Sequence, residues 1–421
     1  MNNSLPFVAP AKWVAMVVTF ITLLLCGSLA SSLSTYGYAQ KIFYFASYLA
    51  LFLVVYTLAT PVNRKRLNKY ALLLFIAVFA LGLVQISWAF YINKHYGDFT
   101  LTTINTISNY QLGGKRLILG AFIVLVLSIY NKEIAEVSIN WCKAILWVGA
   151  AVALVMGVHE HLLTGDRIRL TANVASSSSY MVMFLYCTYL WLSVKEAGLR
   201  WQVLDIALIA ITLSLVLLTG TRVTQLAFFF ITLCQISRFY GLLKILQPKR
   251  NRLIALVIVV ALAALTGERW LQGINNLENY DSDSSTSLGA RVAIWDSGLH
   301  FLPQHLGYSS PDERTVTARA FIARVHPGNT EGYKNVQYNM HNEFLEIATL
   351  QGIAGLAALV FFYAVALWVW FKRSALMGVS MPVVTLFIMG MTDSVLIYSP
   401  TSMMFVSALA LCAIRPKLHH L

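Results

Sequence analysis

Two arginines and a histidine stand out because each sits where hydropathy argues against it. Arg222 lies in Leu218-Thr-Gly-Thr-Arg-Val-Thr-Gln225, a very short connection between two apolar runs. A guanidinium at the edge of hydrocarbon is expensive unless it is paired or faces a polar cavity. Arg291 poses the same problem, since it falls on an apolar helical stripe made by Leu288, Val292, Trp295, Leu299 and Leu302. Snorkelling to an interface would account for either arginine alone. Taken together they offer fixed forks of permanently charged donors that match phosphate oxygens without a metal. His341 opens Met340-His-Asn-Glu-Phe-Leu-Glu-Ile347, where a further apolar run begins. An imidazole there can take the proton of an attacking hydroxyl, with Glu343 or Asn342 orienting the ring or the acceptor. A lone histidine at a helix start is more often a plain hydrogen-bonding residue.

Weaker signals surround these three. His159-Glu-His161 precedes Asp166-Arg-Ile-Arg169. Its metal reading lacks a third ligand at any suggestive spacing. Arg167 and Arg169, with His161 beside them, are read instead as a positive, substrate-facing patch. Asp281-Ser-Asp283 has the form of a metal-holding Asp-x-Asp. Asp393, in Met391-Thr-Asp-Ser394, is a carboxylate near the end of an apolar run, a substrate contact or the structural partner of an arginine. The site expected from the residues is therefore His341, Arg222 and Arg291 at the reacting centre. Arg167, Arg169, His161, Asn342, Glu343 and Asp393 stand around the substrate, with no metal.

These residues have to be positioned by membrane helices. Of 421 residues, 58% are hydrophobic and 12% charged, far from the roughly 25% charged of soluble domains. Apolar runs between polar breaks predict an all-α polytopic membrane protein of about twelve spans. The spans begin near residues 12, 41, 70, 116, 141, 176, 202, 223, 253, 343, 375 and 399. Trp13 to Ala30 is read as a retained first span and not a cleaved signal. Three blocks follow: residues 1–267 with the first nine spans, a large polar loop over 268–342, and 343–421 with the last three.

Basic residues gather at alternate connections, among them Arg64, Lys65, Arg66 and Lys69, then Lys195 and Arg200, then Lys249, Arg250 and Arg252. The positive-inside rule makes those ends cytoplasmic and puts both termini there. The large loop and all three principal residues fall on the opposite side, where nucleotide sugars are not supplied, which argues against the Asp281–Asp283 reading. A lipid-linked diphosphate is the natural ligand for paired guanidiniums at an outer leaflet. The net charge of +13 is accounted for by orientation and anionic lipid, and nucleic acid is not implied. Within the loop, Leu288 to Leu302 reads as an amphipathic helix at the membrane surface with Ser287 as its N-cap. The five cysteines lie in apolar runs without a CxxC pair, so no disulfide framework is expected.

Thr219-Gly-Thr-Arg222, Ser287-Leu-Gly-Ala-Arg-Val-Ala-Ile294 with Gly298-Leu299, and His341-Asn-Glu-Phe-Leu-Glu346 with Gly352-Ile-Ala-Gly355 resemble the bacterial O-antigen ligases. The resemblance covers about residues 215 to 395 in motif order, spacing and intervening loop; the first half matches only in helix number and loop charge. It implies a GT-C-like membrane glycosyltransferase in the inner membrane of a Gram-negative bacterium, working on its periplasmic face. It implies an undecaprenyl-diphosphate-linked O-antigen donor, a lipid A-core oligosaccharide acceptor, surrounding membrane lipids as partners, and no cofactor. Carried over by motif, the functional residues are Arg222, Arg291 and His341.

O-antigen polymerases and protein O-oligosaccharyltransferases share the arrangement; the latter usually extend further after the last span, and this sequence ends at Leu421. A lipid-linked saccharide flippase is the rival of another class. It predicts charges near mid-membrane and broken spans, whereas the notable charges here cluster at the outer ends.

Overall fold

The computed structural model describes residues 11–193, 203–240, 286–372 and 376–414, with scattered positions between 247 and 276. Every regular element among the described residues is a helix. The long helices are α1 (Lys12–Ser32), α2 (Tyr36–Ala59), α3 (Lys69–His95), α4 (Leu101–Ile129), α5 (Glu136–Thr164), α6 (Ala175–Leu192), α7 (Val203–Thr219) and α8 (Arg222–Tyr240). Then come α9 (Ser287–Phe301), α10 (Pro311–Val325), α11 (Thr330–Asn335), α12 (Glu343–Phe371), α13 (Ser380–Gly390) and α14 (Ser399–Cys412). Among the described residues, six helices are long and apolar enough to cross a membrane: α1 to α5 and α12. The ninth expected span and the Asp281–Asp283 pair lie outside the described residues.

Close approach of helices is built on small residues. A Cβ on Gly82 would come within 2.6 Å of the Gly114 carbonyl oxygen, and one on Gly114 within 2.7 Å of the Gly82 oxygen. This reciprocal glycine contact locks α3 against α4, in the way small residues bring membrane helices together. Gly149 likewise admits Ala30 of α1. The described cysteines are unpaired.

Three expectations are corrected. Hydropathy predicts a fourth span from about residue 116, yet α4 begins at Leu101, with Thr100 accepting the Thr103 N–H. Residues 101–115 are too polar to register as a span, but they are helical and stand on the loop-bearing face. Thr100 is pinned there by Asp312, through its N–H at 3.2 Å and its hydroxyl at 2.6 Å. Arg116 follows, almost wholly buried against the Tyr36 ring.

The loop helix α9 is capped by Thr286, not Ser287, through the Gly289 N–H. It also packs differently. Its buried face is Gly289, Ala290, Ala293, Ile294, Ser297, Gly298 and Phe301, and Leu299 of the expected apolar stripe is exposed. Small residues let α10 and α11 close down on this helix, forming a satellite core of Ala293, Ile294, Ala318, Ile322, Val336 and Met340. Asn329 donates to the Gly289 carbonyl at 3.0 Å to complete it.

The tenth expected span, α12, is broken in two. Gly352 adopts φ 60° and ψ −153° inside it, and the loop segment Leu306–Ser309 docks into the gap. Ile353 N–H donates to the Leu306 oxygen and Ser309 N–H to the Leu350 oxygen, both at 3.0 Å. Trp88 of α3 holds the same segment by donating to the Ser309 oxygen. A fully buried ion pair, Arg314–Glu346 at 2.8 Å, ties α10 to the upper half of α12. The loop is thus bolted to the helix that His341 introduces.

Candidate active site

His341 sits at φ 48°, a left-handed conformation that costs a residue with a Cβ of order 1–3 kcal/mol and persists only where the surroundings enforce it. Three contacts enforce it here. The Trp295 indole donates to the His341 carbonyl at 3.1 Å, the His341 N–H donates to Asn339 Oδ1 at 2.7 Å, and the preceding Met340 N–H donates to Glu346 at 2.7 Å. Asn342 then caps α12, its Oδ1 accepting from the N–H groups of Phe344 and Leu345.

The ring Nδ1 faces Asp393 Oδ1 at 3.3 Å. Asp393 also accepts from the Tyr180 hydroxyl at 2.6 Å and from the Ser394 N–H at 2.9 Å. Burial alone would raise its carboxyl, but pairing with His341 and the hydrogen bonds from Tyr180 and Ser394 hold it well below the usual carboxylate range. An ionised carboxylate only accepts, so in the neutral ring the proton sits on Nδ1 and Nε2 is left as the acceptor. His341 is half-buried, so its ring is accessible while its far side is anchored.

Arg291 belongs to the same assembly. It lies four residues before Trp295 on α9, hence on the same helix face, and Trp295 is the residue that donates to the His341 carbonyl. His341 and Tyr180, from different elements, meet on Asp393.

A second group forms around the turn before Arg222. Gly220 takes φ 61°, and Arg167 grips the turn, its Nε donating to the Thr219 oxygen at 2.6 Å and Nη2 to Thr221 Oγ1 at 3.1 Å. Arg222, half-buried, begins α8 directly afterwards. Glu160 shapes the neighbouring loop by accepting from the N–H groups of Arg169 and Leu170. His161 Nδ1 is at 2.7 Å from the Asp166 carbonyl, and Arg169 is exposed. The first turns of α6 join the two groups: Ser178 bonds the Arg169 carbonyl and Tyr180 bonds Asp393.

Two expected substrate contacts have other employment. Glu343 is fully buried, and its Oε2 accepts from the N–H groups of Val395 and Leu396 at 2.5 and 3.0 Å. Asn342 spends Oδ1 on the cap and donates from Nδ2 to the Met391 carbonyl. Both fix the 391–396 segment that presents Asp393, and it is Asp393 that orients His341. Tyr180 was not foreseen; nothing in its local sequence separates it from other aromatic residues of an apolar helix. Among the described residues, no three His, Cys, Asp or Glu side chains gather at a metal-sized site.

The family model described as O-Antigen ligase matches residues 206–360, a span holding Arg222, Arg291 and His341. Among curated proteins, the chain is similar to the O-antigen ligase of Escherichia coli (strain K12), 23% identical over 411 residues, which covers 94% of this chain and 93% of that protein.

Proposed function

From a chain that resembles the O-antigen ligases along nearly its whole length, a relationship that implies a glycosyltransferase-type enzyme, we propose a specific reaction. The protein moves O-antigen polysaccharide from undecaprenyl diphosphate to lipid A-core oligosaccharide at the periplasmic face of the bacterial inner membrane. The observation that carries the reading is His341, its ring backed by the Tyr180–Asp393 pair and its carbonyl held by Trp295 of the helix that bears Arg291. It sets a proton acceptor against the helix that carries a guanidinium suited to phosphate.

The reaction is a single displacement. An acceptor hydroxyl oxygen attacks the anomeric carbon while the bond from that carbon to the diphosphate oxygen breaks, with inversion. The hydroxyl proton passes to Nε2 of His341, a step worth about 10² to 10⁴ in rate for a positioned base. The electron pair of the breaking carbon–oxygen bond leaves with the diphosphate, whose growing charge Arg222 and Arg291 offset, worth several kcal/mol in a water-poor site. Diphosphate is a good leaving group, so no second carboxylic acid of the glycosidase kind is needed. Arg167 supports Arg222 by holding its turn, and Asp393 keeps the imidazole in the accepting tautomer.

Reconstitution with purified lipid A-core and lipid-linked O-antigen tests this on one gel. Ligated product supports the reading. Lengthened donor would make the chain a polymerase, and donor movement across the bilayer without product would make it a flippase.

A further inference from the structure

A cavity of ≈ 240 Å³ opens beside the His341–Asp393 pair, and Asp393 is part of its wall. One side is the start of α4, where Thr102, Asn105, Thr106 and Asn109 line it. Their spacing of three, one and three residues puts all four on one helical face, a polar stripe in the polar first half of α4. Asn109 holds the wall in place, donating to the Asn105 carbonyl at 3.0 Å and accepting from the Ser399 N–H at 3.2 Å. Asn105 is exposed, and Tyr338, 54% exposed, contributes an open aromatic ring.

The chemistry of this lining is selective. Its polar side chains are amides and hydroxyls, with the ionised Asp393 as the charged group and no lysine or arginine among the described residues. Such a surface repels phosphate and suits neutral hydroxyl groups, each of which both donates and accepts, as an amide does. The volume equals about eight waters at ~30 Å³ each and lies below the ~300–1,000 Å³ of pockets for larger ligands. That suits one sugar ring and not a chain.

We propose that this cavity is the subsite for the acceptor's terminal sugar, a neutral pyranose held by Asn105 and the α4 stripe with Tyr338 as its platform. The proposal rests on the transfer reaction above and adds where the acceptor is held. Asp393 is shared between the cavity wall and the base it faces, so a ring bound there lies next to the His341–Asp393 pair. The diphosphate is left to the arginines.

The test uses the full-length reconstituted protein, with acceptor varied at saturating donor and donor varied at saturating acceptor. Asn105→Ala and Tyr338→Ala change exposed side chains. Each is expected to raise the acceptor KM about 5- to 20-fold, the loss of one good contact, and to leave the donor KM within about twofold. Deacylated core oligosaccharide should inhibit competitively against lipid A-core, with its inhibition constant weakened in step. An unchanged acceptor KM in both variants, or a rise confined to the donor, overturns the subsite while leaving ligation standing. Absence of ligated product from the wild-type protein would overturn the reaction and the subsite together. A merely structural role for Asn105 would lower kcat and leave the inhibition constant where it was.

Discussion

Replacing Gly352 with alanine probes how the loop and α12 are joined. At φ 60° and ψ −153° the backbone occupies a region essentially reserved for glycine, and an alanine there is strained by about 1–3 kcal/mol. The added Cβ would also run into the Leu306 and Gly307 carbonyl oxygens. These are backbone atoms and cannot swing away. Relief requires the 306–309 segment to withdraw, which sacrifices the hydrogen bonds Ile353–Leu306 and Ser309–Leu350, each worth about 1 kcal/mol net. The expected destabilisation is about 3–5 kcal/mol.

In detergent or nanodiscs this should appear as a fall in Tm on the order of 5 °C, with faster proteolysis within 302–310. Ligation should fall too, because the segment is continuous with the helices that hold Trp295 against His341. A Gly352→Ala protein within 1 kcal/mol of wild type, protease-resistant and fully active, would refute the idea that the loop is seated in the helix break.

Further outcomes follow from the same geometry. His341→Ala should abolish ligation while retaining donor binding in a pull-down. Asp393→Asn should cut kcat by about 10- to 1,000-fold at near-wild-type KM, since an amide can face Nδ1 with either edge. Arg222→Lys and Arg291→Lys keep charge but lose the fork, so each should lose most activity in stopped-time ligation assays while inserting normally; near-normal ligation by both would remove the diphosphate clamp. Purified enzyme should ligate at full rate in excess chelator, and strict Mg²⁺ dependence would restore a role to Asp281 and Asp283. The Asp393 carboxyl is lowered in the folded state, so its stabilising contribution is complete above its unfolded value of about 4 and is lost as pH falls through the folded one. Melting of the wild type should therefore drop more steeply below about pH 4 than melting of Asp393→Asn.

Local features of the chain carried much of this. Runs of apolar residues announce membrane helices, because a span must satisfy its backbone internally over about 20 residues. Arg222, Arg291 and His341 are conspicuous for the same reason, being polar at positions where hydropathy expects otherwise. The start of α12 is legible from Asn342 ahead of an apolar run. The polar stripe of Thr102, Asn105, Thr106 and Asn109 was also there to be read by its helical spacing, although hydropathy alone hides it.

Other features were decided only by folding. That Asp393 backs His341, that Tyr180 completes the pair, and that Glu343 holds the Val395–Leu396 backbone are contacts between residues 52 to 213 positions apart. No periodicity encodes such pairings, because period reports which way a side chain points on its own helix and not which helix lies opposite. The break at Gly352 is of the same kind: a glycine permits that conformation, but the Leu306–Ser309 segment supplies the hydrogen bonds that make it the stable one.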